Sequence, residues 1–152
     1  MIYQYLRLGP DEIQPMRNLL RVFAEAFGDH GTYLSAQPPD SYLRNLLAQN
    51  HFIAMTAVSG EEVAGGLTAY VLPKFEQERS EIYIYDLAVA KEHRRKGVAT
   101  TLIQYLRTLA ISLNAWVMFV QADPGDEPAI RLYESLGRRE NVYHFDIPMD
   151  KR

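Results

Sequence analysis

Apolar positions along the chain switch between two periods, and the switches mark the elements. Residues 2–8 read as a strand, and Gly9-Pro10-Asp11 breaks it, with Pro10 placed as a helix opener. From residue 11 to 27 the apolar residues Ile13, Met16, Leu19, Leu20, Val22, Phe23, Ala26 and Phe27 fall at helical spacing, and Gly28 closes the run. A loop with Gly31, Pro38 and Pro39 follows. Pro39-Asp40-Ser41 then opens a short helix that carries Tyr42, Leu43, Leu46 and Leu47. Residues 51–58 and 63–72 read as hairpin strands turning at Ser59-Gly60-Glu61-Glu62, and Pro73 stops the second. Residues 74–80 are polar, and 81–89 form the clearest strand, with Ile82, Tyr83, Ile84 and Tyr85 in its first half. Residues 98–113 form an amphipathic helix through Leu102, Tyr105, Leu106, Leu109 and Leu113. Residues 116–121 are apolar almost throughout, as in a buried central strand. A helix over 128–136 ends at Gly137, and 142–147 read as the last strand.

The resulting order, β-α-α-β-β-β-α-β-α-β, is not a uniform strand-helix repeat. It predicts an α/β protein with an α+β mixed sheet, mostly antiparallel and flanked by helices, rather than a doubly wound sheet. At 152 residues, with no repeat, low-complexity tract or Gly/Ser linker, a single domain over 1–152 is expected. The absence of cysteine removes disulfide scaffolds, thiolate zinc sites and cysteine nucleophiles together. Sixteen Lys+Arg against nineteen Asp+Glu give a net charge of -3, which disfavours nucleic-acid binding and suits a cationic small substrate. The longest apolar runs, 64–72 and 115–120, are too short to span a bilayer, and the first residues lack a secretory pattern. The expectation is a cytoplasmic protein without a membrane partner. His30, His51, His93 and His144 show no metal spacing, and no G-x-S-x-G elbow occurs, so no metal is predicted.

The chemically informative stretch is Val89-Ala90-Lys91-Glu92-His93-Arg94-Arg95-Lys96-Gly97-Val98-Ala99-Thr100, which joins a strand to a helix start. Free N–H groups and the dipole at a helix start favour anions, and Gly97 lets a ligand approach the backbone. Three consecutive basic residues add charge, so the segment can cradle phosphates. The same residues also describe a solvated basic turn that caps a helix. Neither G-x-G-x-x-G nor a Walker A sequence is present.

Leu87-x-Val89 followed by Arg94-x-x-Gly97-x-Ala99 and an apolar helix resembles motif A of the GCN5-related N-acetyltransferases. Asp126-x-x-Ala129-x-x-Leu132-Tyr133-x-x-Leu136-Gly137 resembles their motif B. The stretches Tyr70-Val71-Leu72-Pro73-Lys74-Phe75-Glu76-Gln77, Glu81-Ile82-Tyr83-Ile84-Tyr85-Asp86-Leu87-Ala88-Val89, Val120-Gln121-Ala122-Asp123-Pro124-Gly125-Asp126-Glu127-Pro128-Ala129 and His144-Phe145-Asp146, with Leu8-Gly9-Pro10-Asp11, look like the class I aminoglycoside 3-N-acetyltransferases, or gentamicin acetyltransferases. Lys91 and Asp126 depart from the superfamily, which often has proline and asparagine there.

This resemblance implies acetyl transfer from acetyl-coenzyme A to the 3-amino group of an aminoglycoside, conferring resistance, and a homodimer. It also implies that the motif A loop holds the coenzyme pyrophosphate, and that the coenzyme arm lies between the strands over 81–89 and 116–121. The coenzyme set is then Leu87, Ala88, Val89, Arg94, Arg95, Lys96, Gly97, Val98, Ala99, Thr100, Asp126, Ala129 and Tyr133.

Acetyl transfer needs a neutral amine, a stabilised carbonyl oxygen and a stabilised leaving thiolate. Backbone N–H groups of the strand over 81–89, Leu87 foremost, can serve the oxygen where a bulge or splay exposes them. Tyr133 can donate to the thiolate, although it shares a helix face with Ala129, Leu132 and Leu136 and so also fits a core position. Asp86 is the first choice of base, because an acid inside an apolar strand is costly unless paired or functional; Glu81 and Asp123 come next. Pairing with an arginine or capping a backbone group would also explain Asp86. Acids at Glu81, Asp86, Asp123, Asp126 and Glu127 suit a cationic acceptor if they share a cleft, with Tyr83 and Tyr85 against sugar rings or simply in the sheet. The family's fold places Asp29 and Tyr33 on the opposite wall. Two other functions fit the same residues: transfer to a polyamine or protein amine, and a non-catalytic acyl-coenzyme A sensor.

Overall fold

The computed structural model describes residues 2–150. By its contacts the chain forms two compact units, one running to Gln121 and one from Ala122 onward. The first unit is built on a five-stranded sheet in the order of the chain. β1 (Gln4–Arg7), β2 (Phe52–Ser59), β3 (Glu62–Pro73) and β4 (Ser80–Val89) pair antiparallel, each with the next. β5 (Ala115–Val120) lies parallel to β4. A parallel neighbour needs a crossover, and α4 (Val98–Ser112) supplies it. This is the mixed, mostly antiparallel sheet with flanking helices that the element order predicted.

Both faces of the sheet are covered, which is why its inner strands read as near-continuous apolar runs. On one face α1 (Ile13–Phe27) and α3 (Asp40–Leu47) bury Met16, Leu43 and Leu47 with Leu8, Phe52 and Ala54. Farther along α1, Leu19, Val22 and Phe23 cluster with Val63 and Ala88. The alternate residues Ile53, Met55, Leu67, Ala69, Ile82 and Ile84 point the other way and are fully buried. There α4 contributes Leu102, Ile103, Leu106 and Ala110. Each large apolar side chain buried in this way contributes roughly 1.5–3 kcal/mol.

The register of β3 against β4 positions the site. Ala69 faces Ile84 but Thr68 faces Asp86, so Tyr85 is an extra residue, a β-bulge. Plain alternation would send Asp86 to the α4 face after Ile82 and Ile84. The bulge resets the pleat, and Asp86 joins Tyr83 and Ala88 on the face that α1 covers.

Four expectations are corrected. Pro10 does not open α1: it sits in a turn in which the Glu12 side chain accepts from the Gly9 N–H at 2.7 Å, and the helix starts at Ile13. The loop after Gly28 holds a short helix, α2 (His30–Leu34), because the Asp29 carboxylate accepts from the Thr32 N–H at 3.0 Å and caps it. β5 is not a central strand; it ends the strand order, and Trp116 is exposed. Residues 142–147 carry no strand, since no described residue pairs with them in a ladder. Period-two alternation shows which face a strand would bury, but a strand also needs a neighbour for its N–H and C=O groups.

The second unit contains α5 (Glu127–Leu136), with Pro128 in its first turn and Asp126 as N-cap, accepting from the Ala129 N–H at 3.3 Å. Among the described residues no helix is long and apolar enough to cross a membrane.

Candidate active site

Asp86 stands at the centre of the polar side chains that the first unit brings together. The Tyr33 hydroxyl, from α2, donates to Asp86 Oδ2 at 2.9 Å across 53 residues of sequence. Tyr70 of β3 and Tyr83 of β4 face it as well, with the bulged Tyr85 in edge contact with both rings at 5.8 and 5.5 Å. These rings extend a row, Phe52-Tyr70-Tyr83-Phe119, that crosses β2 to β5 as directly paired residues. Among the described residues no Lys, Arg or His forms an ion pair with Asp86. Burial raises its pKa above the ordinary carboxylate value, and the Tyr33 hydrogen bond opposes that rise. The Tyr33, Tyr70 and Tyr83 phenols are pushed up in turn, first by burial. All three are therefore neutral donors at physiological pH. A half-buried carboxylate ringed by neutral phenols is poised to take a proton from, or hold, a cationic amine.

Next to it, β4 and β5 separate. Their ladder ends at the pair Ile84–Val120, while β4 runs on to Val89. From Tyr85 onward, through Leu87, Ala88 and Val89, the edge of β4 that faces β5 has no ladder partner among the described residues.

The chain then enters the basic loop. Ala90 N–H donates to Ala64 O at 2.7 Å and Arg94 Nε to Val89 O at 3.0 Å, so both ends are tied to the sheet. His93 is buried, with Nδ1 2.9 Å from the Tyr3 hydroxyl and Nε2 3.3 Å from Glu62 Oε2. Arg95 and Gly97 take left-handed φ values of 62° and 76°. Gly97 is the N-cap of α4, no side chain caps that helix, and nothing lies within 4 Å of where a Cβ would stand. The first-turn N–H groups of Val98, Ala99 and Thr100 thus start a 15-residue helix with no side-chain cap beside Arg94, Arg95 and Lys96. That arrangement suits a phosphate group.

The remaining predicted residues divide. Glu81 lies at the far end of β4, where Oε2 accepts from Trp116 Nε1 at 3.0 Å and stands 4.0 Å from Lys74 Nζ. Five strand residues, roughly 16 Å, separate it from Asp86. Asp29 is engaged as the α2 cap, and Thr32 lowers its pKa. Asp123, Asp126, Glu127, Ala129 and Tyr133 lie together on the loop and first turns of α5 in the second unit, where Asp123 O accepts from the Asp126 N–H at 3.1 Å. Three features escaped the sequence reading: the Tyr33–Asp86 bond, the contribution of Tyr70, and the packing of Tyr33 against Phe23 and Phe27. The Tyr83-Ile84-Tyr85-Asp86 stretch hinted at the cluster, but no local signal marks a partner 53 residues away.

The profile of the acetyltransferase (GNAT) family matches residues 14–137, from α1 to the end of α5. The chain belongs to the GNAT acetyltransferases. Among solved structures, an aminoglycoside acetyltransferase from an uncultured soil metagenomic sample superposes on this GNAT chain with a TM-score of 0.97 at 53% identity, covering 99% of this chain and 100% of that one. Another aminoglycoside acetyltransferase from an uncultured soil metagenomic sample, in complex with sisomicin, gives a TM-score of 0.90 at 30% identity over 97% of each chain. An N-alpha-acetyltransferase of Saccharolobus solfataricus is 31% identical over 85 residues, 49% of this chain and 51% of its own length. The chain thus spans about half the length of the curated relatives it matches. Among the described residues no group of three or more His, Cys, Asp or Glu is placed to hold a metal ion.

Proposed function

We propose that this GNAT acetyltransferase is a one-domain enzyme that moves the acetyl group of acetyl-coenzyme A to an aminoglycoside, at the 3-amino group of gentamicin-like substrates. Asp86 carries the proposal. It is a half-buried carboxylate with no cation paired to it among the described residues, so an incoming ammonium supplies the missing charge. The similarity to solved aminoglycoside acetyltransferases supports that acceptor class.

The start of α4 fits the coenzyme. Its side-chain-uncapped N–H groups, the open space at Gly97 and the adjoining arginines and lysine match a pyrophosphate. The coenzyme supplies a thioester, whose acyl carbon is open to attack. The chain's residues do the rest. Asp86 takes one proton from the substrate ammonium and leaves a neutral amine. The Leu87 N–H, on the β4 edge without a ladder partner, donates to the acyl oxygen. As the N–C bond forms and the C–S bond breaks, Tyr133 gives its proton to the departing thiolate and regains one from the acylated nitrogen. Ammonium and thioester thus become amide, free thiol and one proton. Asp126 and Ala129 are assigned to the coenzyme arm, and Tyr83, Asp123, Glu127, Asp29 and Tyr33 to the acceptor side, whereas Glu81, held by Trp116 at the far end of β4, is left out of it.

The test is thiol release from acetyl-coenzyme A with gentamicin, sisomicin, kanamycin, spermidine and a lysine peptide, with NMR assignment of the acetylated nitrogen. Turnover of gentamicin or sisomicin at the 3-amino group is expected. Turnover of spermidine or the peptide alone would overturn the acceptor. The partial match to N-alpha-acetyltransferases favours a protein amine as second reading, so a free peptide N-terminus joins the panel.

A further inference from the structure

We infer that Tyr33 is a positioning residue for Asp86: its hydroxyl holds Oδ2 and thereby presents the other carboxylate oxygen to the acceptor amine. The inference rests on Asp86 being the base. It assigns Tyr33, placed above on the acceptor wall, a role exerted through another side chain.

The ring packs against two others. Its centroid lies 5.8 Å from Phe23 and 5.7 Å from Phe27, and those two rings stack on each other at 5.7 Å on consecutive turns of α1. Phe23 is fully buried and Phe27 is exposed, so the contact runs from the core out to the surface. The backbone is held as well: Asp29 caps α2, and Gln37 Nε2 donates to Tyr33 O at 3.3 Å. From this packed position the hydroxyl donates to Asp86 Oδ2, 2.9 Å away. A carboxylate oxygen engaged by a fixed donor cannot rotate away without losing a hydrogen bond to a charged group. The second oxygen is then fixed too, as a base must be to meet a proton within hydrogen-bond reach.

Electrostatics adds a second consequence. Among the described residues, the titratable groups that interact with Asp86 are Tyr33 from α2, Tyr70 from β3 and Tyr83 from β4, and Asp29 at the α2 cap and Tyr85 from β4 act on them in turn. Burial pushes Asp86 toward the neutral acid, which cannot act as a base, and the Tyr33 hydroxyl pulls it back. Tyr33 therefore fixes the orientation and supports the charge of one group.

Tyr33→Phe keeps the ring packed against Phe23 and Phe27 and removes only the donor. The readouts are melting temperature, the carbon-13 titration of the Asp86 carboxyl in the full chain, and kcat and KM with sisomicin. The expected variant is folded, its Asp86 midpoint rises by about one pH unit, and kcat falls about tenfold with KM for acetyl-coenzyme A unchanged. Replacing Tyr33 by 3-fluorotyrosine, a more acidic phenol of nearly the same shape, should move the midpoint down instead. This graded donor covers the case in which Tyr33→Phe fails to fold. An unmoved midpoint and a normal kcat, beside an inactive Asp86→Asn, would remove Tyr33 from the mechanism and leave the base. A fully active Asp86→Asn would overturn the base and the positioning role together.

Discussion

Asp86→Asn separates the chemical role of this carboxylate from its cost to the fold. The substitution keeps size and shape, and it keeps an amide oxygen able to accept from the Tyr33 hydroxyl, 2.9 Å from the carboxylate. Losing a general base lowers kcat by about 10²–10⁴-fold, or about 2.7–5.4 kcal/mol of barrier. Stability moves the opposite way. Burial places the native pKa of Asp86 above its unfolded value, so the folded chain binds this proton more tightly. The stability held by the neutral acid is fully present below the ordinary carboxylate pKa, and it is lost as pH rises through the raised native value. Asparagine does not titrate. The two proteins should therefore be equally stable in acid, and the variant should become the more stable one as pH rises through that window. Urea unfolding at a series of pH values, beside kcat at saturating substrates, reads both effects. A variant less stable than wild type at neutral pH, or with a kcat within threefold of it, would refute the assignment.

Gly66→Ala would place a Cβ 2.4 Å from Met55 O and 2.5 Å from Leu19 Cδ1, one a ladder carbonyl and the other a fully buried side chain. It should cost about 1–3 kcal/mol and lower the melting temperature by about 2–4 °C for each of them, measured by thermal unfolding. Gly97→Ala meets no atom but must hold a φ of 76° at the N-cap of α4. The expected result is a strain of about 1–2 kcal/mol, a higher KM for acetyl-coenzyme A and an unchanged kcat in steady-state kinetics.

Features fixed by each residue's own burial were legible in the sequence. Helical spacing predicted 98–113 where α4 spans Val98–Ser112, and the uncapped start at Gly97 followed from one glycine after three basic residues. Features that need a distant partner were not. No pattern in residues 142–147 shows whether a neighbouring strand exists, and nothing near Tyr33 points to Asp86. The bulge at Tyr85 is the sharpest case, because one extra residue leaves no compositional mark yet reverses every face beyond it. Period two alone sends Asp86 into the α4 side of the core. The register also shows how to test what the bulge does. Deleting Tyr85 would leave Ile84 opposite Ala69 and Asp86 opposite Thr68, a regular ladder with Asp86 still facing Tyr33. Only the local kink and the opening of β4 away from β5 would go. If that opening exposes the N–H that stabilises the acyl oxygen, the deletion should fold, keep the raised Asp86 titration, and lose about 10²–10³-fold in kcat. Tyr85→Ala keeps the backbone count and should retain most of the activity. A deletion variant as active as Tyr85→Ala would show that the bulge supplies no donor to the reaction.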